Sequence, residues 1–459
     1  MASVWHDQEH DGIMSEPGIE ETGFAFGVPE PAPLGTRHVL AAVIGNALEF
    51  YDFTVYATFS IAIGHAFFPN LGAYANLMLS LLIFAAGFAA RPIGGFFIGA
   101  YGDRVGRKPA MLLSFGLMGG AIIAMALVPS FAMIGWAAPA LALLARSVQG
   151  FALGGEIGPT TAYLFEAAPA RHRGLYASFQ SASQSVASLV GGTVGVVLTQ
   201  LLSASALDAY GWRIAFLVGG VTLPFGLLMR RALPETLHMP DHLPAHAPLE
   251  EDRSVFRTHW RPIAFGIAVF ASGTVATYTL NFMTTYAMGT LHMIARTSFA
   301  ATLVLGAAGI VAALFGGWLC DRVGRKPVMV WPRIVFLLAI YPLFAIIVAR
   351  RDATALLLGT AGLSILANVS SAAVFAALSE ALPKEIRGRG FSIIYSTAIA
   401  VFGGSTQPIL NWLIHVTRNP LMPAWYLTTF TAVGLVGIVL IAETAPARRN
   451  IGVTSSVSP

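Results

Sequence analysis

The chain has 459 residues, of which 56% are hydrophobic and only 11% are charged. So few charges cannot cover the water-exposed surface of a soluble protein of this size, and the composition therefore predicts a protein embedded in a lipid bilayer. The net charge of +4 does not indicate a nucleic-acid-binding protein, because the basic residues lie in short connections between apolar segments. The single cysteine, Cys320, excludes intramolecular disulfides and multi-cysteine metal sites, and we expect neither a metal nor a cofactor.

Residues 1 to 36 are acidic and rich in proline and glycine. They lack the basic region and the small-residue cleavage site of a signal peptide. We predict that they form a disordered cytoplasmic tail.

Apolar segments of about 20 residues, the length that spans a bilayer, follow this tail. They predict twelve transmembrane helices, at 38–68, 74–101, 109–128, 133–168, 174–202, 212–231, 259–289, 296–319, 327–349, 353–381, 388–416 and 421–443.

One long polar connection, at 232–258, separates the first six predicted helices from the last six. Three histidines in it have the spacing of a metal-binding helix face, but the prolines between them exclude that helix, so we interpret the segment as a cytoplasmic linker. The sequence thus predicts an all-α membrane protein with two six-helix bundles, at 37–231 and 259–445, and a second cytoplasmic tail at 446–459.

The two predicted bundles carry the same charged heptapeptide, at 103–109 and again at 321–327, 218 residues later. Each copy follows a glycine-containing apolar run and precedes another, which is typical of a tight loop between two membrane helices. A second correspondence relates 166–174 to 380–388. The repetition indicates a duplicated unit and predicts two pseudo-symmetric halves.

The distribution of basic residues predicts the orientation in the membrane. If both termini are cytoplasmic, 19 of the 27 lysines and arginines lie on that side. Because cytoplasmic loops carry the excess of positive charge, we expect both termini and both heptapeptides in the cytoplasm of a multi-pass protein of the cell inner membrane.

A few charges lie inside the predicted spans, where each costs about 2.5–3.5 kcal/mol and therefore needs a reason. Glu49 and Asp52 are three residues apart on one side of the first span, and two carboxylates this close repel in a low dielectric, so one of them is a candidate proton carrier. Arg146 in the fourth span can pair with such a carboxylate or with an anionic substrate. The alternative is a permanent ion pair that holds the two spans together. Arg91 and Glu156 are further candidates, for substrate contact or for helix packing.

Polar side chains at helical spacing predict a cavity between the spans. The alternative is that they form hydrogen bonds between helices without meeting a substrate. With Arg91 and Glu156, the candidates for the cavity are Asn46, Gln180, Gln184, Tyr278, Asn281, Asn368 and Tyr395.

Six plus six spans, a Gly-x-x-x-Asp-Arg-x-Gly-Arg-Lys loop after spans two and eight, and a central linker resemble the major facilitator superfamily, over about residues 38–443. The stretches 45–53, 91–95 and 146–156 resemble its metabolite:proton symporter branch, which takes up carboxylates and zwitterions. Within that branch, Gln-Ser-Ala-Ser-Gln from residue 180 and Val-Phe-Gly-Gly from residue 401 are most similar to citrate and tricarballylate symporters.

The resemblance implies roles for particular residues. Alignment with proton-coupled sugar porters makes Asp52 the proton acceptor and Arg146 its partner, with Glu49 second. In the family, the aspartate of the heptapeptide caps a neighbouring helix and pairs with arginine at the cytoplasmic side. The alternative is that these charges only set topology. The predicted cytoplasmic gate consists of Asp103, Arg104, Gly106, Arg107, Asp321, Arg322, Gly324 and Arg325.

The predicted function is import of a small organic acid, such as citrate, together with protons, by a monomer that alternates the access of its site. The chain has no phosphate-binding loop and no hydrolase motif, so we expect neither ATP-driven transport nor an enzyme. Three alternatives remain open. They are uptake of a zwitterion or osmolyte such as proline or betaine, proton-coupled drug export, and a sensor that binds nutrient without transporting it.

Overall fold

The computed structural model describes residues 36–154, 168, 172–231, 260–381 and 394–440. The predicted tails and the linker lie outside this part. The described residues form long helices joined by short turns, and nine of these helices are long and apolar enough to cross a membrane. Apolar side chains are exposed on the outside of the bundle, as a lipid environment requires.

The first half contains six long helices in its described residues. Their bounds are α1 Thr36–Phe67, α2 Ala73–Val105, α3 Arg107–Leu127, α4 Ala137–Gly154, α5 Arg173–Leu201 and α6 Trp212–Arg231.

The second half repeats the arrangement. The helix α7 is interrupted at Phe282 and continues for two turns, and α11 contains a π-helical turn at Ile399–Gly403. The bounds are α7 Trp260–Asn281 with its continuation Met283–Gly289, α8 Ala295–Val323, α9 Arg325–Arg350, α10 Ala353–Ala381, α11 394–417 and α12 Met422–Leu440.

The glycine of each heptapeptide makes the turn between two long helices. Gly106 lies between α2 and α3 with φ 124°, and Gly324 lies between α8 and α9 with φ 100°. A residue with a Cβ rarely adopts this backbone conformation, so the turn requires glycine at both places.

The helix α10 begins with a side-chain cap. The Ala355 N–H donates to Asp352 Oδ1 at 2.7 Å, and Arg350 Nε donates to Asp352 Oδ2 at 2.8 Å. The hydrogen bond from the Ala355 N–H is the main reason that the pKa of Asp352 is below its usual value, and the one from Arg350 adds to it. The cap satisfies an amide at the start of the helix and fixes the short turn after α9.

Glycines bring α2 and α4 into direct backbone contact. A Cβ on Gly150 would overlap the carbonyl of Gly87, and one on Gly154 would overlap the carbonyl of Arg91. The four-residue spacing of these glycines predicts this approach. Gly99 has the same spacing from Gly95, but a Cβ there would meet nothing within 4 Å.

A second glycine contact joins the two halves, between α5 and α8. Gly192 lies against the backbone at Leu303, and Gly306 lies against the backbone at Leu189. Near the ends of the helices, Gly195 packs on Phe299 and Gly174 packs on Gly317. We call this line of contacts the α5–α8 contact. It runs almost the full length of both helices.

Candidate functional site

The centre of the first half holds a buried ion pair between α1 and α4. Arg146 Nη1 donates to Asp52 Oδ2 at 2.5 Å and to Gln149 Oε1 at 2.5 Å, and Gln149 Nε2 donates to Asp52 Oδ1 at 3.3 Å. Gln149 lies three residues after Arg146 and therefore on the same face of α4. Both side chains reach the same carboxylate. Neither charged side chain is exposed. The charge of each is compensated by the other inside a low-dielectric region.

Aromatic rings surround the guanidinium of Arg146. Its Cζ lies 4.5 Å from the centre of the Tyr56 ring, 5.0 Å from that of Phe53 and 5.3 Å from that of Phe84. Its Nε and Nη2 have no hydrogen-bond partner among the described residues. Arg146 therefore binds one carboxylate and retains donors that could bind another anion.

Arg91 is the second buried cation of this region. Its Cζ lies 4.2 Å from the centre of the Phe88 ring and 4.7 Å from that of Phe53. None of its three side-chain nitrogens has a hydrogen-bond partner of good geometry in the described part of the chain. The rings of Tyr278 and Tyr395, from α7 and α11, lie within electrostatic range of its charge.

A polar cavity lies between the two halves, beside this region. It has two adjoining lobes, whose walls share Phe50, Gln184, Gly273, Thr277, Asn368 and Ser371. Of the residues predicted for the cavity, those that line it are Gln184, Tyr278, Asn281, Asn368 and Tyr395.

Arg91, Asn46 and Gln180 were predicted for the cavity but are not among the lining residues of these lobes. Gln180 Nε2 donates to Asn46 Oδ1 at 3.1 Å, and Asn46 Nδ2 donates to Ser183 Oγ at 2.6 Å. These bonds join α1 to α5, which is the alternative considered for polar residues in the spans. Glu49, one turn from Asn46, is buried with 3% of its surface exposed. Glu156 lies outside the described residues.

The wall of the cavity also contains Arg333, a charged residue that was not predicted there from the sequence. It lies on α9, is 1% exposed, and contributes to the wall of the first lobe. The sequence carried a usable signal, because Arg333 is a charge inside an apolar span, as Arg146 is.

Hydroxyl groups join the halves at the end of α1 that is farther from the heptapeptides. The Thr285 hydroxyl donates to the Ala57 carbonyl at 2.7 Å and lies 2.9 Å from Ser60 Oγ. The rings of Phe59 and Phe299 pack beside them, with centres 4.7 Å apart. These contacts hold α1 against the continuation of α7 and against α8.

The second heptapeptide also joins the two halves. Asp321 accepts the N–H of Gly174 at 2.8 Å and that of Leu175 at 2.9 Å, so its carboxylate caps the start of α5. Arg325 Nη1 donates to Asp321 at 2.8 Å, and Arg325 Nη2 lies 3.3 Å from Glu380 at the end of α10. We call Asp321, Arg325, Glu380 and the start of α5 the α5 latch.

Other residues of the predicted gate are placed differently. Arg322 is exposed, and its Cζ lies 4.2 Å from the centre of the Trp318 ring, away from the Asp321 carboxylate. In the first copy Arg104 is exposed. The side chains of Asp103 and Arg107 lie outside the described part of the structure.

Apolar helices around a polar cavity with a buried ion pair define a multi-pass α-helical membrane protein. The chain belongs to the Major Facilitator Superfamily, whose sequence profile matches residues 42–405. This confirms the predicted family.

Three relatives extend over almost the whole chain. The citrate-proton symporter of Salmonella typhi is 35% identical over 413 residues, which is 88% of this chain and 93% of that protein. The citrate-proton symporter of Klebsiella pneumoniae is 33% identical over 399 residues, or 87% of this chain and 90% of that protein. The glycine betaine/proline/ectoine/pipecolic acid transporter OusA of Dickeya dadantii is 29% identical over 424 residues, or 89% of this chain and 83% of that protein.

The fold also matches a solved structure. The crystal structure of a D-xylose-proton symporter superposes with a TM-score of 0.72 at 19% identity, over 90% of this chain and 99% of that one. The match confirms the predicted all-α fold class with twelve transmembrane helices.

Proposed function

We propose that the chain is a proton-coupled secondary active transporter that imports a small organic acid, such as the tricarboxylate citrate, by alternating access. The observation that carries this proposal is the fully buried pair of Asp52 and Arg146 beside a polar cavity between the two halves. The relatives from Salmonella typhi and Klebsiella pneumoniae, both citrate-proton symporters, support the substrate class.

The ion pair offers a physical basis for coupling. While Asp52 is ionised, it holds the Arg146 guanidinium in place. Protonation of Asp52 removes that compensation and leaves a buried cation that needs another anion. A carboxylate of the substrate satisfies this need, so proton and substrate bind together. Glu49, three residues before Asp52, is the second candidate for the proton.

Two sets of contacts between the halves suggest how access alternates. The α5 latch holds α5 to the end of α8, and the Thr285 hydroxyl holds α7 to α1. We propose that the bundles at 37–231 and 259–445 rock against each other, breaking one set of contacts at a time. In the first copy of the heptapeptide, Asp103 and Arg107 would contribute an equivalent contact. The linker at 232–258 and both tails would lie in the cytoplasm.

The partners of this transporter would be the acid, protons and the lipid of the cell inner membrane, and the working unit would be a monomer. The substrate would be moved without chemical change, so no enzymatic step is proposed. Basic loops on the cytoplasmic side support this orientation.

The second candidate function is uptake of a zwitterion such as proline or betaine. The relative OusA from Dickeya dadantii supports it. A zwitterion also presents a carboxylate to Arg146, so this arginine fits both substrate classes.

Uptake into right-side-out vesicles tests the proposal. With an imposed inward proton gradient, we expect radiolabelled citrate to accumulate in the vesicles. Collapsing the gradient should abolish this accumulation. Accumulation of proline or betaine, without citrate, would favour the second candidate. No gradient-driven uptake of any of these compounds would overturn proton-coupled transport.

A further inference from the structure

We propose that Arg333 binds a substrate carboxylate from the second half of the molecule, so that the cavity selects acids with several carboxylates over zwitterions. This inference rests on the proposed function and adds a residue and a selectivity to it.

The first observation is that Arg333 is a buried cation without a counter-ion among the described residues. It is 1% exposed, and its Nε and Nη1 have no hydrogen-bond partner there. Its contact with the Phe336 ring is long, with Cζ 5.9 Å from the centre of the ring. In contrast, Arg325 on the same helix binds both Asp321 and Glu380. A buried charge left without a partner destabilises a fold by several kcal/mol, which makes the site of Arg333 suited to an incoming anion.

The second observation is that the Arg333 side chain faces the cavity. It lines the first lobe of the cavity together with Gln184 from α5 and Asn368 from α10. These amides supply neutral hydrogen bonds around a carboxylate, while the guanidinium supplies the charge. Because the lobe is bounded by both halves, an anion bound there contacts α5 and α9 at once.

Simple packing or topology does not account for an arginine at this place. Arg333 lies eight residues into α9, roughly 12 Å along the helix axis from its start. Because the side chain is buried and lines the cavity, its guanidinium does not extend along the outside of the helix to the lipid headgroups, as arginines at helix ends do. A helix-packing role would be filled at lower free-energy cost by an apolar residue of similar volume.

Among the described residues, Arg333 is the cation in the wall of the cavity, whereas Arg91 and Arg146 of the first half are buried and do not line it. Tyr278 and Tyr395 line the lobe that contains Arg333, and the same two rings lie within electrostatic range of Arg91. An acid with two or three carboxylates can satisfy Arg333 while another carboxylate meets the cations of the first half. A zwitterion has one carboxylate, and its ammonium group beside Arg333 would be repelled.

Three acids built on the same propane chain test the inference. Tricarballylate, glutarate and butyrate carry three, two and one carboxylates. Their binding to the purified protein is measured by calorimetry at one pH. We expect R333Q to weaken tricarballylate binding by about 10–100-fold, because a charged hydrogen-bonded pair is lost. Butyrate, which has one carboxylate for the first half to bind, should change by less than about twofold.

The controls separate substrate contact from folding. R350Q, on the exposed end of the same helix, should leave all three affinities unchanged. R333K keeps the charge and loses the planar fork, so it should weaken tricarballylate several-fold and leave butyrate as it is. R333K also serves as the test if R333Q does not fold.

Two results would overturn the inference alone. One is an equal loss for all three acids in R333Q or R333K, which would make Arg333 a structural residue. The other is unchanged tricarballylate binding. A wild-type protein that binds proline or betaine but none of the acids would overturn the proposed organic-acid substrate as well.

Discussion

Arg146 donates to Asp52 across 2.5 Å at a place where neither side chain is exposed. A guanidinium does not release its proton at any physiological pH. The pair can therefore change in only two ways: the carboxylate gains a proton, or Arg146 moves to another anion. Gln149 contacts both partners and keeps them aligned.

Replacing Asp52 by asparagine should uncouple transport from the proton gradient. The amide has the shape of the carboxylate but cannot take up the proton, so D52N should exchange substrate across the membrane without concentrating it. In the wild type, an inward gradient of one pH unit can drive about tenfold accumulation for each coupled proton. The measurement is substrate accumulation against counterflow in right-side-out vesicles.

The matched control for this variant is D352N, because Asp352 is a partly exposed helix cap in the second half and does not contact the ion pair. It should transport like the wild type. If D52N still concentrates substrate, the proton site lies elsewhere, and E49Q becomes the next variant to measure.

Removing the charge of Asp321 should open the cytoplasmic side more often. D321N weakens the cap on α5 and the pair with Arg325, and the loss of about 1–2 kcal/mol changes the populations by about 5–30-fold. Cys320, the single cysteine of the chain, is buried beside this contact and lies close to Gly174. Its rate of labelling by a maleimide in inside-out vesicles should rise by this factor.

The control for the latch is R322Q, in the same heptapeptide. Arg322 is exposed over Trp318 and does not contact Asp321, so its loss should leave the labelling rate of Cys320 within about twofold of the wild-type rate. Equal labelling of D321N and the wild type would contradict a gating role for Asp321.

Replacing Thr285 by valine should have the opposite effect on the same reporter. The valine keeps the volume but loses the hydrogen bond to Ala57 and the contact with Ser60, worth about 1 kcal/mol. States closed on that side become less stable, so labelling of Cys320 from the cytoplasm should fall about fivefold. T284V is the control, because Thr284 bonds to Ser298 within its own half. Faster labelling of T285V would show that this contact does not oppose the latch.

Alanine at Gly150 should destabilise the first half. A Cβ there would overlap the Gly87 carbonyl, and overpacking of this kind costs about 1–3 kcal/mol. Gly120 lies in another helix of the same half with nothing within 4 Å of the added carbon, so G120A should not lower stability. Thermal unfolding in detergent compares the two. A midpoint for G150A at or above that of G120A would contradict the close contact of α2 and α4.

The sequence predicted the helices well because the bilayer constrains them. Each span needs a long apolar run, and the glycine turns at Gly106 and Gly324 mark where α2 and α8 end. The four-residue spacing of Gly150 and Gly154 is typical of close helix contacts in membranes, and the structure identifies α2 as the helix that α4 touches.

Side-chain partners were harder to predict, because polar groups that could bind a substrate can equally form hydrogen bonds between helices. Asn46 and Gln180 have the polar character of cavity residues, but they bond to each other between α1 and α5. Arg333 carried the same signal as Arg146, a charge inside a span. What sequence alone could not supply was the rotation of α9, which decides whether that charge faces the cavity or another helix.

The α5–α8 contact suggests a way to stabilise the protein in a single conformation. Gly195 lies near one end of the contact and Gly317 near the other, and at each place an added Cβ would overlap its neighbour. Because the two helices touch along most of their length, we expect them to separate by tilting, with one end spreading while the other stays together. A bulky residue at Gly317 would act as a wedge at the latch, and one at Gly195 as a wedge at the opposite end. Such a pair of single substitutions would supply conformationally uniform samples of the two states for cryo-electron microscopy or for raising state-specific antibodies.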